Sequence, residues 1–190
     1  MKLIEQRILN CGEVMDGGVV KVGDFLNHQV DVSLLMEAGR EVKKTFENEN
    51  ITKLVTAATS GIAVAVAYGA VMDLPVVFAK KGTTSNMSDD VYCANVHSYT
   101  HGNNYTMKIE KQFLNKNDRV LIVDDFLANG AALDGLIDVV EQSGATLVAC
   151  SIVVEKGFQQ GGKRIRDKGI RVESLAIIDS IENGKITFRD

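Results

Sequence analysis

The stretch V-L-I-V-D-D-F-L-A-N-G-A-A, from Val120 to Ala132, decides the fold. Its first four residues are apolar and mostly β-branched, which predicts a buried strand that Asp124 and Asp125 end. A loop of small residues leads to Gly130, and apolar residues then recur at helical spacing as far as Ser143. This order places the free N–H groups of a helix N-terminus beside two acids at the end of a strand.

Such a helix N-terminus favours a phosphate, because its N–H groups are free donors and its dipole is positive. The two acids cannot bind the same phosphate, since like charges repel, so they must serve sugar hydroxyls, a metal ion or a developing carbocation. A ligand that combines phosphate and ribose satisfies both halves of the motif. The other interpretation is a doubly wound domain in which the acidic pair has no function. Response regulators also have paired acids, but theirs follow the first strand, whereas this pair lies about two thirds of the way along the chain.

Helical and strand patterns alternate along the chain, which predicts an α/β fold with a mostly parallel central sheet flanked by helices. Helices are expected near the N-terminus, from the capping residue Asp31 to about Asn48, over Ile62–Met72 and over Ala131–Ser143. Strands are expected at Leu54–Ala57, Val76–Ala79, Val120–Val123, Thr146–Val154, Arg171–Ile178 and Lys185–Phe188.

Composition excludes several classes of protein. The chain has 190 residues, 45% of them hydrophobic and 24% charged, which suits one globular domain with a substantial core. Its net charge of −4 gives no basic surface for nucleic acid. Three cysteines without pairing or metal-ligand spacing suit a reducing cytoplasm. The first ten residues predict a short amphipathic helix, not a signal peptide or membrane span.

A second loop of small residues, from Ala58 to Gly61, also joins a predicted strand to a predicted helix. Two such loops at one edge of a sheet could hold two separated phosphate groups of one ligand. The pair Lys80-Lys81 follows the next strand and could neutralise a pyrophosphate, although a solvated strand end is the other interpretation. His28, His97 and His101 have no zinc-ligand spacing, and we assign them no chemistry.

The segment from Gly82 to Asn104 is rich in Thr, Ser, Asn, Asp and Gly and has little apolar periodicity at either end. Weak alternation from Tyr92 to Tyr99 makes a mobile hairpin plausible. Long segments of this kind often act as lids over an active site.

The stretch at Asp124-Asp125 resembles the motif with which type I phosphoribosyltransferases bind phosphoribosyl pyrophosphate. The resemblance implies one domain over 1–190, with a hood from about 1–30 and 156–190 and a flexible lid at about 82–106. It implies catalytic roles for Asp124 and Asp125, Mg²⁺ carried mainly by substrate and water with no direct protein ligand, and a homodimer. It also implies a set of donor-binding residues: Ala128, Asn129, Gly130, Ala131, Ala132, Ser60, Gly61 and Lys81, with Ser98 and Tyr99 in the lid.

The segments V-V-K-V-G-D-F-L-N-H-Q and V-V-E-K-G-F-Q-Q-G-G resemble the xanthine phosphoribosyltransferases of bacteria, and the likeness covers nearly the whole chain. It implies that xanthine is bound by Val20, Asn27, Lys156 and Phe158. An aromatic ring stacks on a purine, an ammonium donates to a ring carbonyl, and an amide both donates and accepts. From the residues alone, Phe158 could equally be a core aromatic, and Asn27 a turn residue.

The chain departs from the family at three places. Asn129 and two alanines stand where many relatives have Thr or Ser in the phosphate loop. Val20 stands where the xanthine enzymes have a larger aliphatic residue, and Ala58 stands where they have a carboxylate. Two alternatives stay open: a transferase of the same fold for guanine, hypoxanthine or adenine, and a non-catalytic regulator that binds phosphoribosyl pyrophosphate. The regulator would need a DNA-binding module and a basic face.

Overall fold

The computed structural model describes residues 2–15, 19–82, 88–98 and 103–189. The helices are α1 Leu3–Cys11, α2 Val32–Thr45, α3 Ser60–Met72, α4 Ala131–Gln142 and α5 Gly161–Asp167. The strands are β1 Glu13–Met15, β2 Val19–Lys21, β3 Lys53–Ala57, β4 Val76–Lys81, β5 Val91–Ser98, β6 Asn103–Glu110, β7 Arg119–Leu127, β8 Thr146–Lys156, β9 Val172–Glu182 and β10 Lys185–Phe188. A π-helical turn spans Gly23–Asn27 and a 3₁₀ turn spans Lys111–Phe113.

Eight strands form one sheet in the order β10-β9-β8-β7-β3-β4-β6-β5. Its five central strands, from β9 to β4, pair in parallel, and the two edges are antiparallel. Strands β1 and β2 make a separate two-stranded sheet. The predicted mostly parallel α/β sheet is therefore confirmed.

Helices cover both faces of this sheet, so the central strands are apolar on both sides, as parallel sheets require. Buried residues of α1, α2 and α3 pack on one face, and buried residues of α4 and of the β5–β6 hairpin pack on the other. Asp31 caps α2 as predicted, since its side chain accepts a hydrogen bond from the N–H of Leu34 at 3.0 Å. No helix within the described ranges has the length and apolar character that crossing a bilayer requires.

Between β3 and β7 the chain reverses its direction of travel across the sheet. After β3 it continues through α3 on one face to β4, and after β7 it continues through α4 on the other face to β8. Such a switch point leaves a crevice at the carboxyl ends of the two strands, where ligands of open α/β sheets bind. Both small-residue loops of the sequence lie at this crevice.

The structure corrects the predicted end of β7. Asp124 and Asp125 do not end the strand, which continues to Leu127, because β8 is long enough to keep pairing with it as far as Leu127 and Glu155. The capped helix α2 also ends earlier than predicted, at Thr45.

The segment predicted as a flexible lid with a hairpin contains two well-paired strands. Strands β5 and β6 pair in register from Val91 and Glu110 to Ser98 and Asn103. Ala94 and Val96 are buried against α4, because Gly135 of α4 leaves room for the Val96 side chain. The predicted hairpin exists, and this part of it belongs to the folded core.

Candidate active site

The acidic pair lies at the crevice between β3 and β7. Asp124 is 7% exposed, and one of its carboxylate oxygens accepts the N–H of Asp125 at 3.1 Å. Burial, followed by the negative charge of Asp125, raises the pKa of Asp124 well above its usual range, and the nearby Lys81 ammonium opposes this shift. Burial also raises the pKa of Asp125, against hydrogen bonds that include one from the Asn27 amide. Two carboxylates are thus held close together, with little water, at the end of the sheet.

The first turn of α3 packs directly against Asp124 at Gly61. A Cβ atom at Gly61 would lie 2.7 Å from Oδ1 of Asp124 and would overlap the hydroxyl of Thr56, so only glycine fits there. Ala58 and Thr59 precede the helix and are joined by a cis peptide bond. Because α3 begins at Ser60, its N-terminus faces the crevice beside the acid pair. The structure therefore brings Ser60 and Gly61 together with Asp124.

The phosphate loop joins β7 to α4 on the other side of the acids. Gly130 has φ +83°, a conformation that favours glycine, and α4 begins at the next residue. Residues Ala128 to Ala132 therefore lead from the acidic strand into a helix N-terminus, as the sequence predicts. Because none of their side chains has a hydroxyl group, any phosphate here would be held mainly by backbone N–H groups.

The two lysines of β4 face different surroundings. Lys81 lies close enough to Asp124 to lower its pKa, and its Nζ lies 5.0 Å from the centre of the Tyr105 ring. Lys80 instead lines a cavity with Phe78 and Phe113. Alternation along a strand separates the two side chains, so only Lys81 is positioned beside the acid pair.

Tyr105 was not predicted as a site residue. It lies on β6, it is half-buried, and burial followed by the charge of Asp124 raises its pKa. Its position depends on the pairing of β6 with β4 and β5, which no local motif reveals.

The four residues predicted to bind a purine lie in the N-terminal segment and after β8. Val20 and Asn27 line one cavity of about 350 Å³, and Asn27 also reaches Asp125. Lys156 is half-buried at the end of β8, where burial lowers its pKa. Phe158 is 40% exposed, so it is not a core aromatic. The structure links Asn27 to the acids, and binding of a base by all four residues stays a prediction.

The structure describes only part of the predicted lid residues. Ser98 ends β5, but its side chain and the whole of Tyr99 lie outside the described residues. Their roles stay predictions.

A buried ion pair fixes the segment after β8. Glu155 is 2% exposed, and its carboxylate accepts hydrogen bonds from Nη1 and Nη2 of Arg166, both at 2.7 Å, and from the hydroxyl of Ser174 at 2.5 Å. Burial opposes ionisation, but these hydrogen bonds prevail and lower the pKa of Glu155. Arg166 belongs to α5, a helix that was not predicted, so the pair ties the turn of Lys156 and Phe158 to that helix.

The arrangement suits the binding of one ligand with two anionic ends and a polar or cationic centre. Two helix N-termini flank a pair of carboxylates, and a lysine stands beside them. In the ranges that the structure describes, no group of three or more His, Cys, Asp or Glu side chains is arranged to hold a metal ion.

Comparison with known proteins agrees with this arrangement. Residues 28–184 match the phosphoribosyl transferase domain, which is most of the chain. The chain therefore belongs to the phosphoribosyltransferase family.

Its curated relatives narrow the class further. The chain is 51% identical over its full length to the whole of xanthine phosphoribosyltransferase 1 of Clostridium perfringens, and 50% identical, again over the whole of both chains, to the xanthine phosphoribosyltransferase of Ruminiclostridium cellulolyticum. It is 49% identical over 188 residues to the enzyme of that name from Bacillus mycoides, covering 99% of this chain and 95% of the relative. These relatives place the chain in the bacterial xanthine phosphoribosyltransferase branch of the family.

Solved structures show the same fold at much lower identity. Adenine phosphoribosyltransferase of Giardia lamblia, in complex with 9-deazaadenine, superposes with a TM-score of 0.75 at 19% identity, covering 93% of this chain and 97% of that one. The adenine phosphoribosyltransferase of Rhodothermus marinus gives 0.75 at 21% identity, covering 93% and 98%. This likeness establishes the fold and not the base.

The buried carboxylate of Asp124 should cost stability. Its pKa is raised above the unfolded value, so the stability of the protein falls as pH rises from the unfolded pKa towards the folded one, and the loss is complete above that. Asp124→Asn removes the charge and keeps an oxygen for the Asp125 N–H. We expect Asp124→Asn to raise the Tm by several degrees at about pH 7.5. For a domain of this size, a gain of about 1 kcal/mol in the free energy of unfolding raises the Tm by about 2–4 °C. The difference should shrink towards about pH 4, where the wild-type carboxyl is protonated.

Asp118→Asn is the matched control. Asp118 is 9% exposed and accepts hydrogen bonds from Lys53 Nζ at 3.0 Å and from the N–H of Asn115 at 2.8 Å. Its loss should lower the Tm at neutral pH. If Asp124→Asn instead destabilised the protein at neutral pH, the contacts of the ionised Asp124 carboxylate would outweigh the cost of its burial, and the prediction would be wrong.

Proposed function

We propose that this protein transfers the 5-phosphoribosyl group from phosphoribosyl pyrophosphate to N9 of xanthine, giving xanthosine 5′-monophosphate and pyrophosphate in purine salvage. The observation that carries the proposal is the pair Asp124-Asp125 between two helix N-termini, in a chain about half identical to named xanthine phosphoribosyltransferases along its full length. This geometry supports the catalytic roles that we assign to the two acids.

The reaction displaces pyrophosphate from C1′ of the ribose. Positive charge develops on the ribosyl ring as the bond to pyrophosphate breaks, because displacement at an anomeric carbon has oxocarbenium character. Asp124 and Asp125 lie where they can bind ribose hydroxyls and stabilise that charge. Backbone N–H groups from Ala128 to Ala132 hold the 5′-phosphate.

The leaving group is held on the opposite side of the acids. The N–H groups at Ser60 and Gly61 and the ammonium of Lys81 bind the pyrophosphate and neutralise part of its charge. The oxygens of the acid pair, hard donors of the kind that suit Mg²⁺, would face the ion mainly through water, and substrate oxygens would complete its shell. A bound Mg²⁺ would help to neutralise the charge of the pyrophosphate. The protein supplies position and electrostatics and needs no nucleophile of its own.

The hood would bring the base to C1′. We assign it to about 1–30 and 156–190, because Ile4 and Ile8 of α1 share one cluster of buried residues with Leu175 and Ile178 of β9. Val20 and Phe158 pack on the purine faces, Asn27 binds its edge, and Lys156 donates to a carbonyl or stabilises a xanthine anion. Adenine has an exocyclic amine at its edge, and the Lys156 ammonium has no acceptor for a hydrogen bond from that amine. We also place the protein in the cytoplasm, where its three free thiols would stay reduced.

The second partner would be another copy of the chain. Val66 of α3, Phe78 of β4 and Phe113 are 54%, 41% and 49% exposed, and Phe78 and Phe113 line a cavity of about 280 Å³. Helix α3 packs on the same face of β4 that carries Phe78, since Gly69 lies against Val76. An exposed apolar surface of this kind is typical of an interface. Homodimer formation would cover it.

The reaction itself is tested by measuring pyrophosphate release with xanthine, guanine, hypoxanthine and adenine in turn, at fixed phosphoribosyl pyrophosphate and Mg²⁺. We expect the highest kcat/KM with xanthine. A higher value with another purine would move the assignment to that base, and absence of release with all four would favour a binding protein.

Asp124→Asn should lower kcat with the best purine roughly a hundredfold or more, since one charge beside the developing cation is lost.

Substitution of Lys156 tests how the base is recognised. Lys156→Met keeps much of the side-chain volume but removes the ammonium, and an unmet hydrogen bond to a charged group costs about 1.5–3 kcal/mol. We expect kcat/KM for xanthine to fall roughly ten- to a hundredfold, with the KM for phosphoribosyl pyrophosphate almost unchanged.

Lys163→Met serves as the control, because Lys163 is exposed and pairs with Asp167 on the surface of α5. It should leave both constants unchanged. If Lys156→Met instead weakened the donor and spared xanthine, Lys156 would belong to the phosphate site.

Sedimentation velocity at micromolar concentration tests the interface. We expect a dimer, and Phe113→Asp should shift the equilibrium towards monomer by placing a charge in the apolar surface. Sedimentation of the wild type as a monomer would contradict the proposal.

A further inference from the structure

The short helix α5 packs directly against the back of the phosphate loop. A Cβ atom at Gly161 would overlap the carbonyl oxygen of Ala128 and would lie 2.7 Å from the carbonyl carbon of Asn129 and from the nitrogen of Gly130. The two backbones are therefore in contact, with no side chain between them. Whatever fixes α5 also fixes one side of the phosphate loop.

Arg164 of α5 bonds to both the loop and the helix that follows it. Its Nη2 donates to the carbonyl oxygen of Asn129 at 3.1 Å. Its Nη1 and Nη2 also donate to Oδ1 and Oδ2 of Asp134, at 2.9 and 2.5 Å. Asp134 lies in the first turn of α4, and its N–H donates to the carbonyl oxygen of Gly130 at 2.9 Å. One planar guanidinium thus ties the loop to the first turn of α4.

The bond to Asn129 determines where the next N–H group points. Because a trans peptide is planar, its C=O and N–H groups point in opposite directions. When Arg164 holds the Asn129 carbonyl on the α5 side, the N–H of Gly130 is turned to the opposite side.

This orientation matters more here than in a loop with hydroxyl side chains. Asn129, Ala131 and Ala132 offer no hydroxyl group to a phosphate, so the backbone N–H groups carry the contact. A loop that depends on its peptide planes loses affinity when a plane is free to rotate, because ordering it then costs conformational entropy.

We propose that Arg164 is a positioning residue for the 5′-phosphate of the donor: it holds the Asn129–Gly130 peptide so that the loop presents its N–H groups to the phosphate. The inference rests on the proposed function. Arg164 and Asn129 line a wide cavity of about 730 Å³, and neither Asp124 nor Asp125 is among its described lining residues, so we assign Arg164 a role through the loop and not a catalytic one.

The experiment compares Arg164→Met with Lys168→Met. Lys168 binds the same Asp134 carboxylate, with Nζ 3.0 Å from Oδ1, so its substitution also removes a cation from Asp134. Among the described residues, only Arg164 donates a hydrogen bond to the carbonyl oxygen of Asn129. We expect Arg164→Met to raise the KM for phosphoribosyl pyrophosphate roughly tenfold, with kcat and the KM for xanthine within about twofold of wild type. Lys168→Met should leave all three constants within about twofold of wild type.

Arg164→Lys adds a graded test that keeps the charge. Its ammonium can pair with Asp134 but lacks the planar fork that also reaches Asn129, so the KM for the donor should lie between those of the wild type and Arg164→Met. Calorimetric titration with ribose 5-phosphate should give the same order of affinities for the four proteins.

Equal donor KM values in Arg164→Met and Lys168→Met would overturn the positioning role. So would an equal fall in every constant together with a lower Tm, which would indicate a structural role. If the wild type releases no pyrophosphate with any purine, the proposed function fails, and the affinities for ribose 5-phosphate still decide the role of Arg164.

Discussion

The close approach of Gly61 to the Asp124 carboxylate is the constraint on which the site depends. It joins the first turn of α3 to the middle of β7, and it holds a charged group where water is largely excluded. A carboxylate in such a place opposes folding, so the surrounding sheet must hold it there. The same desolvation strengthens its attraction for a cation that forms beside it. The buried Asp124 carboxylate thus lowers the stability of the folded protein at the position where positive charge is expected to develop.

The topology of the sheet brings the two small-residue loops to one site. Each is an ordinary strand-to-helix connection, but the chain leaves β3 and β7 on opposite faces of the sheet, so both helix N-termini converge on one crevice. The acids lie between them, and Lys81 reaches them from β4. Charge complementarity is thus built largely from backbone groups, with few charged side chains.

Much of the fold followed from local pattern, and the exceptions have physical causes. Asp31, Pro75 and the apolar runs marked helices and strands correctly, because burial on both sheet faces imposes a strong period. The end of β7 was wrong, because a long partner strand kept the ladder intact beyond two acids that locally favour a turn. Helix α5 was missed, since seven residues with two glycines carry little periodicity. Tyr105, Arg164 and the separation of Lys80 from Lys81 depend on strand register and on contacts between distant segments, which sequence spacing does not encode.

The candidate site draws on segments that lie far apart along the chain: Val20 to Asn27, Ala58 to Gly61, Lys81, Asp124 to Ala132, and Lys156 to Phe158. They meet only when the parallel strands have paired across long crossovers, and such pairing is slow because loop-closure entropy is lost before the contacts form. Secondary structure can therefore return during refolding well before any donor site exists. Recovery of ligand binding would report on completed topology, and a chain interrupted in any of these segments would lose part of the site while keeping most of its helices.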